Sequence, residues 1–370
     1  MKKRIDSLEA LRALACIAMF LFHGGINISG AGAACVFFML SGFTLSLSEL
    51  HRDTYTNPGA LGSALAAIKR IRRLYALHIV CLLPVLALNL FEMSRGLSYV
   101  SPADLVKRLI ASILLLQSWV PDSSVAVSFN GVAWFLSTLL FLYFCFPFIF
   151  GLLRKLSSVR AALLAIFILT AVQIALGFTA SPLESRLLGL GIIPADGKFA
   201  YWFSYIFPVF RLFDFSVGCI LAWVFVEVND KARPAHACIA ELASIVLFAA
   251  THFLYRYSTP LPGWEAFKYT QIFVPFAAVV IFTFALGQGP AVKWLTNRFT
   301  LFIAGISSDF FLIHQNIIRF TTIFLSVLAI PVLSSKLFII PFCFALTVIA
   351  CLVWAWLKKS VRIVHGKNKL

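Results

Sequence analysis

Apolar residues run along this chain in long blocks separated by short polar and basic segments. Blocks fall at about 8–23, 33–48, 74–92, 131–150, 161–180, 207–226, 237–255, 269–286, 300–328 and 337–357. A helix needs roughly 20 apolar residues to cross a hydrocarbon core of about 30 Å. The pattern therefore predicts an all-α, polytopic membrane helix bundle of about ten transmembrane helices. Leu109–Val120 is apolar but short and follows Lys107 and Arg108, so it is read as re-entrant or interfacial rather than as a crossing. The paired broken helices of inverted-repeat transporters are not evident, and no low-complexity linker divides the chain. Residues 1–370 are expected to form a single integral-membrane domain with no separate soluble domain.

Composition narrows the class. Of 370 residues, 61% are hydrophobic and 12% charged, against roughly a quarter charged in a soluble domain. A soluble globule, a disordered chain and a small disulfide scaffold are all excluded. Ten crossings take up about 200 residues, so any chemistry must sit in or between the membrane helices. The net charge of +16 would suggest nucleic acid in a soluble protein. Here the basic residues lie between apolar runs, as in cytoplasmic loops. With the N-terminus in the cytoplasm, inside segments hold 20 of the 31 Lys and Arg and outside segments hold 8. That asymmetry puts both termini in the cytoplasm. Met1-Lys2-Lys3-Arg4 has the look of a signal peptide, but Glu9 and Arg12 interrupt the apolar run that follows, so it is read as a membrane helix. The 8 cysteines form no CxxC pair and read as small buried hydrophobes.

Ionisable groups inside membrane helices are costly and usually face the bundle interior. The first helix carries Glu9, Arg12 and His23. Eleven steps at about 100° bring Arg12 and His23 to one face, roughly 16 Å apart along the axis. Glu9 lies one turn before Arg12 and is placed to pair with it. An imidazole suits proton transfer near neutral pH, so His23 is a candidate base; a histidine hydrogen-bonded at the membrane surface is the bland alternative. Ser41 and Gly42 suit a close helix approach, and such a serine more often bonds its own backbone than acts as a nucleophile. Arg70 and Arg73 share a helix face on the basic side, where guanidinium forks suit phosphate; ordinary topogenic charge is the alternative. Trp134, Tyr143 and their neighbours line a cavity or serve as packing anchors. Arg211 and Asp214, three apart, are expected to form an intramembrane ion pair. Asp309 and His314 do not share a face, which leaves His314 to meet His23 or substrate across the bundle. Ligand spacing for a metal is missing from the sequence.

These residues together resemble the membrane acyltransferase-3 family, bacterial proteins that O-acylate surface polysaccharides and related acceptors. The resemblance rests on Leu11-Arg12-Ala13-Leu14-Ala15 with His23, Phe37-Phe38-Met39-Leu40-Ser41-Gly42-Phe43, Arg70-x-x-Arg73-Leu74, and Trp134-Phe-Leu-Ser137 with Tyr143 and Pro147. It extends through Arg211-x-x-Asp214-Phe215-x-x-Gly218 and Ile306-Ser307-x-x-Phe-x-Leu-Ile-His314. Singly each motif is weak; in order, over nearly the whole chain, they are specific.

The resemblance implies a multi-pass protein of the bacterial inner membrane that moves an acyl group, usually acetyl, from acyl-CoA to a carbohydrate hydroxyl. The co-substrate would be acetyl-CoA, with no permanently bound cofactor. The acceptor would be O-antigen, capsule, exopolysaccharide or a lipid-linked precursor. The resemblance points to His23 as catalytic, Arg12 as its companion, and Arg70 and Arg73 as donor-binding. Many relatives carry Glu where this chain has Leu139, so no role passes to that position. The hydrolase-like domain fused to some relatives is not expected here. A general-base and an acyl-histidine route both stay open. The alternative is a transporter or flippase for lipid-linked sugars, using Arg12, His23, Arg211, Asp214 and His314 as a polar pathway. A membrane scaffold would leave the buried ionisable groups unexplained.

Overall fold

The computed structural model describes residues 5–52, 55, 57–97, 100–193, 198–257, 271–328 and 335–367. Helices make up nearly all of this, with no strand among the described residues. In chain order they are α1 (Asp6–His23), α2 (Gly30–Leu50), α3 (Gly59–Ser94), α4 (Pro102–Ile113), α5 (Ser123–Ala126), α6 (Trp134–Leu153) and α7 (Val159–Gly189). Then come α8 (Phe199–Tyr201) with a π-helical turn at Trp202–Ile206, α9 (Pro208–Val228), α10 (Pro234–Tyr257), α11 (Val274–Leu286), α12 (Pro290–Leu295), α13 (Arg298–Leu328) and α14 (Lys336–Lys367).

The described residues of all ten apolar runs are mostly helical. Among the described residues, 8 helical stretches have the length and composition to cross a membrane. Two runs fall short on their own: α1, which spends Asp6, Glu9 and Arg12 on its first turns, and Gln271–Leu286, which is brief. The α4 helix has 12 residues and rises only about 18 Å, short of a crossing. It buries Leu105 and Ser112, exposes Lys107 and leaves Arg108 half-buried, as an interfacial helix does.

Burial sorts the bundle into centre and rim. In α2, 72% of the apolar window is buried, against 17% in α7 and α14. The rim helices turn Leu163, Leu164, Phe167, Ile168, Val353 and Trp356 outward. So much exposed apolar surface fits a lipid environment and not water. At the centre, α2 and α9 touch through glycines. A Cβ on Gly42 would collide with the Phe215 carbonyl oxygen, and one on Gly218 with that of Met39. Small residues allow this backbone-to-backbone approach, which supplies dispersion contacts where lipid removes the hydrophobic drive.

The Arg211–Asp214 pair forms at 3.1 Å with both side chains fully buried. Gln173 of α7 donates to Asp214 at 2.8 Å, and the Arg211 guanidinium lies 4.7 Å from the Phe38 ring centre. This cluster ties α7, α9 and α2 together and satisfies charges that would otherwise be prohibitive in the bundle.

The segment between α4 and α6 folds back on the start of α6. Ser137 Oγ donates to Leu115 O at 2.5 Å, Ser118 Oγ to Trp134 O at 2.8 Å, and Gln117 Nε2 to Ala133 O at 3.1 Å. Trp202 Nε1 donates to Ser118 O at 2.9 Å, and Asn130 Nδ2 to Leu312 O at 2.8 Å. Side chains thus satisfy irregular backbone that lipid would leave unpaired. Six cysteines are buried, as expected of small hydrophobes, while Cys145 is half-buried and Cys238 is exposed on the rim.

Candidate functional site

His23 is the last residue of α1. The chain turns sharply after it because Gly25 adopts φ +79°, a left-handed conformation that suits a residue without Cβ. The Lys336 ammonium donates to the Gly25 carbonyl at 2.6 Å and pins the turn to the start of α14. His23 Nδ1 lies 2.8 Å from His314 Nε2, the rings 5.0 Å apart at 32°. His314 Nδ1 in turn lies 3.1 Å from the Phe310 carbonyl oxygen.

These partners fix the tautomers of the neutral pair. A carbonyl oxygen only accepts, so His314 Nδ1 carries a proton and its Nε2 does not. His23 Nδ1 must then donate to His314 Nε2, leaving His23 Nε2 with a free lone pair. The chain His23–His314–Phe310 holds the His23 ring in one orientation, with Nε2 able to accept a proton. Phe20, Phe310 and Phe311 pack around His314, and Phe22 beside His23.

His23 opens onto a chamber of about 240 Å³ lined also by Trp134, Tyr201, Tyr205, Tyr255 and Gln315. A second cavity, of about 760 Å³, opens toward the Asp6 end of α1. It is lined by Arg12, Arg52, Lys69, Arg70 and Arg73, with Glu49 the only carboxylate. Glu49 pairs with Arg52 at 2.8 Å and Glu9 with Arg12 at 2.8 Å. Lys69, Arg70 and Arg73 have no carboxylate partner among the described residues; Arg70 sits 5.9 Å from the Tyr143 ring centre. Positions 69, 70 and 73 fall on one side of α3, which runs far enough past the membrane boundary to present them. Such a surplus of cations around a cavity favours a polyanion, above all phosphate.

The two cavities meet at two side chains. Phe135 of α6 and Phe311 of α13 line both. With Phe37 of α2 they form a ring triangle, at 5.9 Å (Phe37–Phe135), 5.6 Å (Phe37–Phe311) and 5.0 Å (Phe135–Phe311). A three-phenylalanine septum therefore separates the cationic cavity from the histidine chamber.

The sequence-predicted residues divide accordingly. His23 and Trp134 line the chamber, and His314 lies buried behind His23, joined to it by the hydrogen bond. Arg12, Arg70, Arg73 and Ser41 line the cationic cavity, where Ser41 Oγ donates to Phe37 O at 2.7 Å as a backbone-bonded serine. Arg12 and His23 share a helix face yet open into different cavities, because the septum crosses between them. Leu139 lies in the cationic wall. Arg211 and Asp214 stay in the structural cluster and line neither cavity. Asp309 is taken by Lys358 of α14 at 2.7 Å and lies away from both. Three features were not singled out from sequence: Lys69, whose signal is its i,i+4 spacing to Arg73; Gln315, adjacent to His314; and the tyrosines of α8, its π turn and α10.

Comparison with known proteins follows the same lines. The sequence model of the acyltransferase 3 family, described as an acyltransferase domain, matches residues 5–356. Acyltransferase MdmB of Streptomyces mycarofaciens is 27% identical over 237 residues, covering 60% of this chain and 57% of that protein. The chain thus aligns with little more than half the length of this curated relative. No solved structure matches the chain significantly.

Proposed function

Since the chain belongs to the acyltransferase 3 family, we propose that it is an inner-membrane O-acyltransferase that moves acetyl from acetyl-CoA to a carbohydrate hydroxyl. The observation that carries this reading is the His23–His314 hydrogen bond of 2.8 Å in a chamber that shares Phe135 and Phe311 with a cation-lined cavity.

The cationic cavity faces the cytoplasm, the side favoured by the distribution of Lys and Arg. Coenzyme A phosphates bind Lys69, Arg70 and Arg73. The pantetheine arm passes between Phe37, Phe135 and Phe311 and delivers the thioester to the chamber. This resolves the distance between a cytoplasmic donor and a base at the far end of α1.

In the chamber, His23 Nε2 takes the proton of the acceptor hydroxyl as its oxygen attacks the thioester carbonyl. The new C–O bond gives a tetrahedral intermediate. Collapse breaks the C–S bond, and the imidazolium returns the proton to the leaving thiolate, giving free coenzyme A and an ester. His314 accepts the Nδ1 hydrogen bond throughout, which keeps the ring oriented and stabilises its positive charge. The acceptor is a glycan or its lipid-linked precursor, which enters from the end of the bundle opposite the cations.

The test is acetyl transfer from radiolabelled acetyl-CoA by purified, lipid-reconstituted protein, with His23→Ala beside wild type. Loss of ester formation with retained acetyl-CoA binding is expected. Ester formation that survives the substitution removes His23 as the base.

A further inference from the structure

Resting on the reading of His23 as the base, we infer that Gln315 is an acceptor-binding residue, and that the chamber takes one neutral ring bearing two neighbouring hydroxyls. The first observation is an orphan. Gln315 Oε1 is buried against the chamber wall without a hydrogen-bond partner among the described residues. Buried amides are almost always satisfied, and each exception asks for a ligand or water. Leaving the group unpaired costs about 1–3 kcal/mol, so its retention at the chamber wall marks it as a reader of bound hydroxyl.

The second observation is position. Gln315 follows His314 directly on α13, and His314 holds His23. Gln315 and His23 thus line one small chamber, with Gln315 Oε1 packed against Gly131. One hydroxyl of a vicinal pair over His23 leaves its neighbour to the Gln315 amide, which offers an acceptor oxygen and an N–H donor.

The third is the character of the walls. Among the described residues, the lining includes Trp134, Tyr201, Tyr205 and Tyr255 and no carboxylate, lysine or arginine. Aromatic faces take the apolar face of a ring while its polar edge bonds elsewhere. The absence of charge among these lining side chains disfavours a phosphate or ammonium on the entering group. At about 240 Å³ the chamber falls below the roughly 300–1,000 Å³ of sites that hold drug-sized ligands. It admits a single ring, and the rest of a larger acceptor stays outside.

Gly131 sets the amide. A Cβ there would lie 2.7 Å from Gln315 Oε1. Gly131→Ala therefore displaces the amide while leaving Gln315 itself in place.

The experiment uses reconstituted protein, acetyl-CoA and defined acceptors: cyclohexanol, cis- and trans-1,2-cyclohexanediol, and methyl glycosides of glucose, galactose and mannose. Wild type is expected to favour a diol or glycoside over cyclohexanol in kcat/KM. In Gln315→Leu that preference falls by about three- to tenfold, the worth of one neutral hydrogen bond. The change is carried by the acceptor KM, with the acetyl-CoA KM unmoved. Gly131→Ala gives a smaller loss of the same preference. A structural role for Gln315 would lower all rates together and leave the ratio intact, which overturns the proposal. So does a wild-type enzyme indifferent to the second hydroxyl. Transfer that persists in His23→Ala, or no acetyl transfer to any of these acceptors, overturns the underlying reading of the base instead.

Discussion

The cationic cavity and the histidine chamber are built on opposite principles. The one near the start of α1 is about 760 Å³ and walled by five cationic side chains; the one at its end is about 240 Å³ and walled by aromatic rings. The first suits a large anion that must bind and leave, where long-range attraction is useful and water is plentiful. The second suits proton transfer, where the hydrogen bonds to His314 and Phe310 hold a neutral imidazole pair in one tautomer. Only three phenylalanines lie between them. The contrast teaches that polyanion-friendly and proton-transfer-friendly environments are kept apart along α1, so on the proposed reading a substitution in one cavity should leave the other's signature intact.

Replacing His23 by Ala is the severest test of that division. Acetyl transfer should fall by about 10²–10⁴, the usual contribution of a general base, while acetyl-CoA binding measured by calorimetry stays near wild type. A matching loss of donor binding would merge the two regions into one.

Next comes His314→Phe, which keeps the volume of the ring and removes the acceptor for His23 Nδ1. A hydrogen bond to a charged group is worth about 1.5–3 kcal/mol, so kcat should drop by about ten- to a hundredfold. Both KM values should hold, as steady-state kinetics with varied donor and acceptor would show.

Substitutions in the other cavity should move the complementary parameter. Lys69→Ala and Arg73→Ala are each expected to raise the acetyl-CoA KM by about tenfold, as loss of one charge-assisted phosphate contact predicts. The effect should shrink at high ionic strength because Lys69 and Arg73 are exposed and so screened by salt. A change in kcat at saturating donor would contradict the division.

The smallest effect is expected at the septum itself. Phe37→Ala widens the passage from the cationic side, where Phe37 lines the cavity, and leaves Lys69, Arg70, Arg73 and the histidine chamber in place. Relative rates with butyryl-CoA against acetyl-CoA should rise a few-fold, about the worth of one or two methylenes. An unchanged chain-length profile would mean the septum does not lie on the donor's route.

Much of this was legible before any coordinates. Hydropathy located every long helix because lipid leaves a chain few ways to satisfy its backbone. Arg211 and Asp214 pair as their spacing required, since i,i+3 neighbours on a helix meet without help from the rest of the fold. The site was legible only in part. Helical periodicity aligned Arg12 with His23 but is blind to Phe37, Phe135 and Phe311, which three other helices insert between them. Asp309, which shares no face with His314, is paired by Lys358 of α14 from 49 residues away, a partner that no local pattern announces. Gln315 carries no signal in composition or spacing; only the unpaired amide against Gly131 distinguishes it.

The internal charge pair of α9 also bears on how the protein is made. Because Arg211 finds Asp214 within its own helix, the segment neutralises itself one turn at a time as it leaves the ribosome. It can partition into the bilayer as a nearly uncharged rod, before α10 to α14 have been synthesised, with Gln173 and Phe38 joining only when the earlier helices close around it. An Asp214→Ala chain would instead deliver a lone guanidinium to the translocon, and the defect would show first as failed insertion of this span.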